Sequence, residues 1–504
     1  MKSAKLLATL AVGIVVTWAV PVSAQGYRAR LDARYQGISY RGYSIDSVLA
    51  ADVRLTGDGS FITADGYAAY CPAGVEYCTF YRPGPDLRGH PVVATVDANA
   101  WGFGVSGLRL NTKVRFGTDL SKADIWPGTD PEVQLLEGYL EYTKRSLVAQ
   151  AGRTHVATRF GWTGFDGLKA EVMPLGRKLR VLGYGGWGLA RGVALPVTSS
   201  ALNPLDEYQP RDRQLIVGAG LGLSLSRVFG QAIWQREIDP ESENLVSDRV
   251  AFDLDLTPAS NITVSGGAEF DVASGLWGTA DASATYIAPR GMGRLTVGAR
   301  RYRPRFDLWT IWGAFSPVPF NAGFGSLSVS PIGGLELRTS GEIYEFDDTE
   351  TSTRLQRVES DGWRWKLGAA YNGLRAWRFE AGHWVDEGTG SRSVGYEGLV
   401  TFTPTEALSV TGHAERLQRP LEFRFNEADV RSYALRFDYR TVGGVRLNAE
   451  VRRYDEVRQR SDAARLSWDQ WRLNAGLSFD FGTTPRGGGL HPAILRIPEG
   501  RGVR

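Results

Sequence analysis

From Trp471 to Gly482 the chain reads WRLNAGLSFDFG, and its side chains alternate strictly between two kinds. Trp471, Leu473, Ala475, Leu477, Phe479 and Phe481 fall on one face, with Arg472, Asn474, Gly476, Ser478 and Asp480 on the other. A period of two is the signature of a β-strand with one apolar and one polar side. The run is about twice as long as a typical strand of a soluble sheet.

The pattern recurs along the chain. Tyr27, Ala29, Leu31, Ala33 and Tyr35 alternate with Arg28, Arg30, Asp32, Arg34 and Gln36. Leu108, Leu110, Val114 and Phe116 alternate with Arg109, Asn111, Lys113 and Arg115, and Tyr433, Leu435, Phe437 and Tyr439 with Ser432, Ala434, Arg436 and Asp438. Turn-forming links such as 257–261, 288–293, 403–407 and 441–444 separate some strands. Longer irregular connections separate others, at 71–91, 118–131, 192–213, 303–323 and 347–360. Short and long links take turns, as in an up-and-down meander with tight turns at one rim and long loops at the other.

A sandwich or propeller needs shorter strands, and a propeller also needs a repeat of about 40–50 residues. A transmembrane barrel needs tilted strands of about 9–11 residues, apolar outside and polar inside, with no edge left open. The expectation is therefore an all-β, transmembrane, up-and-down antiparallel β-barrel. Counting by alternating rims predicts about 22–24 strands within a range of 18–26, with the breaks near 56–61 and 326–334 the least secure.

Residues 1–24 read as a cleaved signal peptide: Lys2 and Lys5, an apolar run, then Val22-Ser23-Ala24. Without those two lysines the mature chain carries 56 basic against 55 acidic residues, which excludes the concentrated basic excess of a nucleic-acid binder. Cys71 and Cys78, the only cysteines, predict a disulfide in an exported chain. The five histidines show no metal-ligand spacing, so neither a metal nor any cofactor is expected. His413 with Glu415 is the best acid–base pair, read as hydrated lumen wall, and no enzyme is expected.

Asn474-Ala475-Gly476-Leu477-Ser478-Phe479-Asp480-Phe481 resembles the C-terminal targeting signal of Gram-negative outer-membrane barrels, with Asn474, Gly476, Phe479 and Phe481 at its key positions. The resemblance implies an outer-membrane location and recognition by the barrel-assembly machinery. It departs in position, because a basic, Gly/Pro-punctuated tail follows. The domain reading is thus signal peptide 1–24, barrel 25–482 and periplasmic tail 483–504. The stretch AGRTHVATRFGWTGFDGLKAEV (151–172) is similar to a segment of alginate-export-type and some sugar porins. That likeness implies a passive channel for anionic or sugar solutes.

The lumen candidates follow from the polar face: Arg28, Arg30, Arg34, Arg109, Arg115, Arg436, Arg440, Arg446, Arg452, Asp32, Asp438 and Glu450. Most lie on the first and last strands, which closure brings together. An unobstructed barrel of this size is too wide a hole, so a loop is expected to fold inward. Phe306, Trp309, Trp312, Phe315 and Phe320 in 303–323 are the predicted constriction. The expected function is an outer-membrane channel, passive or gated, for small hydrophilic solutes. The alternative is a non-conducting barrel acting with envelope partners in assembly, adhesion or surface export.

Overall fold

Each alternating stretch pairs with the next along the chain, and the last returns to the first. The computed structural model describes residues 26–57, 59, 61–121, 132–189, 214–240, 245–303, 319–346, 361–388, 391–419, 428–441, 443–458 and 467–483. Among these, 22 strands make one closed antiparallel wall. The first is Gly26–Leu49, the second is Tyr77–Gly89 continued by Pro91–Trp101, and the third is Leu108–Asp119. The last three are Ala428–Arg440, Arg446–Arg458 and Trp468–Gly482. Strands about 4.8 Å apart and tilted by about 40° give a ring roughly 44 Å across at this strand number.

Closure runs from Arg28 opposite Gly482 to Ile38 opposite Arg472. Residues opposite one another in an antiparallel ladder share a face, so the register sorts the chemistry. Ala29 meets Phe481, Leu31 meets Phe479 and Ala33 meets Leu477, while Arg30 meets Asp480 and Asp32 meets Ser478. The apolar set continues round the outside in exposed residues such as Leu168, Leu221, Leu254, Val297, Leu367 and Leu435. This is the inverse of a soluble protein, and it is the surface that a lipid bilayer requires.

Tight turns gather at one rim: 145–146, 260–261, 333–334, 375–376 and 406–407 each link two strands. Both ends of the described chain lie at this rim, and short turns mark the periplasmic side of outer-membrane barrels. The count settles at 22 because 50–76 adds no wall strand, whereas 333–334 is a true turn. The expected irregular connection 71–91 is corrected: Tyr77–Gly89 is a strand, paired with Ile38–Leu49. Pro83, Gly84 and Pro85 concealed it. The register shifts there, between Arg41 and Tyr43, and no neighbouring wall strand needs the missing proline N–H groups.

The two strands rise beyond the rim as a ribbon. Its tip carries the short strands Arg54–Leu55, Phe61–Ile62 and Ala68–Tyr70. Cys71 and Cys78 are bonded there as expected, with Cα atoms 4.5 Å apart and Cys78 fully buried. The signal peptide 1–24, the tail from 484 and the predicted constriction residues Phe306, Trp309, Trp312 and Phe315 lie outside the described residues.

The outward face can be tested against its neighbour. Leu435→Arg, facing lipid halfway along its strand, should cost about 2–4 kcal/mol. Ala434→Arg, one residue away and facing water, should cost a small fraction of that. Urea unfolding of the barrel from lipid vesicles measures both, and equal costs would show that the two faces are misassigned.

Candidate functional site

Among the described residues a hairpin departs from the wall between Leu147 and Val172. Leu147–Thr158 pairs with Val133–Lys144 only as far as Arg153, and Gly161–Val172 pairs with Leu179–Gly188 only as far as Phe165. Beyond those levels the two strands keep pairing with each other up to the turn at Arg159 and Phe160. The hairpin tip has therefore left the wall. At the bend Gly152, Gly167 and Gly186 lie side by side in register. Gly152 has φ +125°, and a Cβ there would sit 2.4 Å from the Gly138 carbonyl oxygen. One on Gly167 would sit 2.1 Å from the Gly185 carbonyl oxygen. Backbones meet there too closely for any side chain.

The tip bends inward. Val156 and Phe165 pack with Leu182, Tyr184, Ile216, Ile233 and Ala251 as one buried cluster. Register places those wall residues on the lumen face: Leu182 stands opposite Gly220, Gly220 opposite Ile233, and Ile233 opposite Ala251. Gly218 leaves room for the Tyr184 ring, since a Cβ would fall 2.1 Å from its Cζ. The lumen solvent is water, so covering this patch is favourable, with each large side chain contributing about 1.5–3 kcal/mol on full burial. Thr154 and Thr163 are buried under the same hairpin.

A polar chain runs beneath the tip. The Tyr184 hydroxyl donates to Gln235 Oε1 at 2.8 Å, and Gln235 Nε2 donates to Glu237 Oε1 at 2.7 Å. Arg249 lies 3.7 Å from Glu237, and its guanidinium sits over the Phe160 ring at 4.6 Å. Gln235 and Glu237 are almost wholly buried, so this satisfaction is what makes their burial tolerable.

Arg159, at the turn, is the far anchor. Its Nη1 donates to Asp253 Oδ1 at 2.8 Å, its Nη2 pairs with Asp281, and Glu269 lies 3.9 Å from Nε. These carboxylates stand on Leu245–Ala259, Ile262–Asp271 and Leu276–Ile287, four to six strands along the wall. The arc is roughly 19–29 Å, and the hairpin from Gly152 reaches about 23 Å before the arginine side chain is added. The charged line continues, since Asp281 stands opposite Arg300, which lies 2.7 Å from Glu342. Arg364 then joins Glu342 at 3.6 Å and Asp386 at 3.0 Å. On the open side of the hairpin, the exposed Trp162 stacks on His155 at 3.7 Å.

Most of the sequence-derived lumen candidates sit on the opposite part of the wall, on the first and last strands. Arg30, Arg34, Arg436, Arg440, Arg446, Asp32 and Asp438 line one recess of about 360 Å³ near the periplasmic rim, together with Glu406. Arg30 pairs with Asp32 at 2.8 Å and Arg436 with Asp438 at 2.7 Å. Arg28 pairs with Asp480 at 3.5 Å and Arg452 with Glu450 at 3.0 Å, outside the recess. Arg109 stands opposite Glu141, and Arg115 donates to Gln134 at 3.5 Å. Phe320 opens the strand Phe320–Ile332, with Arg300 over its ring at 5.6 Å. Phe479 and Phe481 form a ring pair 5.2 Å apart on the outer face of the last strand, and Asn474 and Gly476 face the lumen opposite Gln36 and Arg34.

Sequence reasoning missed the hairpin as a constriction, although the stretch 151–172 had been singled out by likeness. A signal was present. In Leu179–Gly188 and Leu215–Ser224 the inner positions hold Leu182, Tyr184, Ile216, Gly218, Gly220 and Gly222, where a hydrated wall carries charge. Two apolar faces mean that protein covers the inner one.

No family model matches the chain, and no curated protein matches it. Among solved structures it is similar to a BenF-like porin from Pseudomonas fluorescens Pf-5, with 10% identity, TM-score 0.40, and 91% of this chain and 99% of that one covered. It is also similar to Acinetobacter baumannii OccAB4, with 9% identity, TM-score 0.39, and 92% and 100% covered. Pseudomonas aeruginosa OpdQ gives 10% identity, TM-score 0.39, and 91% and 98% covered. At these scores the likeness is one of overall barrel form and carries nothing about solute or mechanism.

Two substitutions test the hairpin's seat. Gly167→Ala meets backbone on the next strand and should cost more than about 2 kcal/mol. Gly164→Ala meets only the movable Leu189 side chain and should cost far less. Arg159→Met leaves three carboxylates facing one another and should cost about 2 kcal/mol at pH 7. Urea midpoints of the parent and the variant decide, and an unchanged midpoint would remove the carboxylate cluster from the account.

Proposed function

We propose that the protein is an outer-membrane channel for the passive passage of small hydrophilic solutes, with the hairpin 154–165 as its fixed internal constriction. The observation that carries this is the infolded hairpin itself, seated across the inner wall of a closed barrel whose remaining inner face is charged and hydrated. The seat favours a fixed element over a gate. Burial of Phe165 and Val156 with the Arg159 anchor amounts to on the order of 5 kcal/mol, which leaves an unseated fraction near 10⁻⁴ to 10⁻³. Export by residues 1–24 and insertion by the barrel-assembly machinery through 474–481 belong to the same reading. So does a preference for anionic solutes, supported by the arginine excess of the seam recess.

One observation favours a non-conducting role with envelope partners. The ribbon's outer face exposes Ile45, Leu49, Tyr77 and Tyr81 above the rim. Planar-bilayer recording separates the two. A channel should give stable unitary currents, and replacing 154–165 by a short Gly/Ser turn should enlarge them several-fold. Silence from both proteins, with correct folding, would leave the partner-binding role standing in place of the channel.

A further inference from the structure

The lumen wall follows a rule for its arginines. Arg30, Arg338, Arg378, Arg436 and Arg452 each pair with a carboxylate two residues away on the same strand, at 2.7–3.0 Å. Three arginines of the seam recess break it. Arg34, Arg440 and Arg446 take part in no ion pair among the described residues. Arg440 and Arg446 also stand directly opposite each other across the ladder. Like charges in that relation are destabilising unless something neutralises them.

The recess as a whole holds five arginines against three carboxylates, an excess of two positive charges. Asn448 adds a neutral donor on the same lining. We infer that this recess, at the periplasmic mouth of the lumen, is a binding site for a phosphate-class dianion: inorganic phosphate or the phosphoryl group of a phosphate monoester. The charge matches, since such a group carries about −1.5 to −2 near neutral pH and offers three acceptor oxygens. Three unpaired guanidinium forks suit three oxygens. A monocarboxylate would neutralise only half of the excess and leave one fork without a partner. The site deepens the channel reading, on which its physiological meaning rests, by naming the solute class that the lower mouth holds.

Calorimetry on the folded barrel in detergent, at constant ionic strength, tests it without requiring conductance. Phosphate and glycerol phosphate should bind saturably, and acetate at least about tenfold more weakly. Arg440→Gln with Arg446→Gln should weaken phosphate by about tenfold or more, as expected for losing charge-assisted bonds. Arg440→Lys with Arg446→Lys should retain part of the affinity, and Arg338→Gln should change nothing. Heat-modifiable gel mobility confirms that each variant is a folded barrel. Tighter binding of glycerol phosphate assigns the site to a solute's phosphoryl group, whereas tighter binding of phosphate assigns it to the free ion. Equal affinity for acetate, or a double glutamine variant that binds like the parent, overturns the site. A barrel that conducts but does not bind phosphate loses the recess and keeps the channel; one that binds phosphate without conducting does the reverse.

Discussion

In a hydrocarbon layer a backbone N–H or C=O has no water to turn to, so a sheet that crosses it must close. The pairing of Arg28–Ile38 with Arg472–Gly482 meets that demand, and the rest of the structure depends on it. Register there leaves no freedom, because a slip of one residue would turn every side chain to the wrong face. The same ladder that places Leu31 beside Phe479 therefore places Arg30 and Arg34 on the water side, beside arginines more than 400 residues away. The seam recess is a consequence of closure.

The outside of the barrel was legible in the sequence because lipid imposes one condition on every strand. Alternation marked Tyr27–Gln36, Leu108–Phe116, Tyr433–Tyr439 and Trp471–Phe481, and all of them lie in wall strands. The seam arginines were legible for the same reason. What misled was local chemistry. Pro83-Gly84-Pro85 imitates a loop, yet it stands in a ribbon strand that needs few outward hydrogen bonds. The 22 strands fell within the expected range, but the segment near 56–61 could not be resolved by a count of rims, since short tip strands alternate as well.

The inside was less legible because its partner is not uniform. Where water is the neighbour, strands carry charge on the inner face, as at Arg436 and Asp438. Where the hairpin is the neighbour, they carry Leu182, Tyr184, Ile216 and Ile233. A reading that expects one polar face treats these as noise, although Gly218 shows space being cleared for the Tyr184 ring. Distance in sequence hides the other half of the contact. Arg159 meets Asp253, Glu269 and Asp281 across about 100 residues, and nothing local to any of them announces the meeting.

The two faces of the wall also differ in what drives association. Outside, lipid is as apolar as leucine, so covering an apolar side chain yields little, and the strands are held by their ladders. Inside, the solvent is water, and the ordinary hydrophobic effect returns. A hairpin with Val156, Thr154, Thr163 and Phe165 on one side gains by lying against Leu182 and Ile233, and would gain nothing by lying against the outer wall. The glycines at 152, 167 and 186 permit a bend, and this difference in solvent gives the bend its direction. The charges then fix how far it goes, because Arg159 finds its carboxylates at the end of its reach. Constriction of the lumen thus follows from solvent inside a barrel, glycine at the bend and one arginine at the tip.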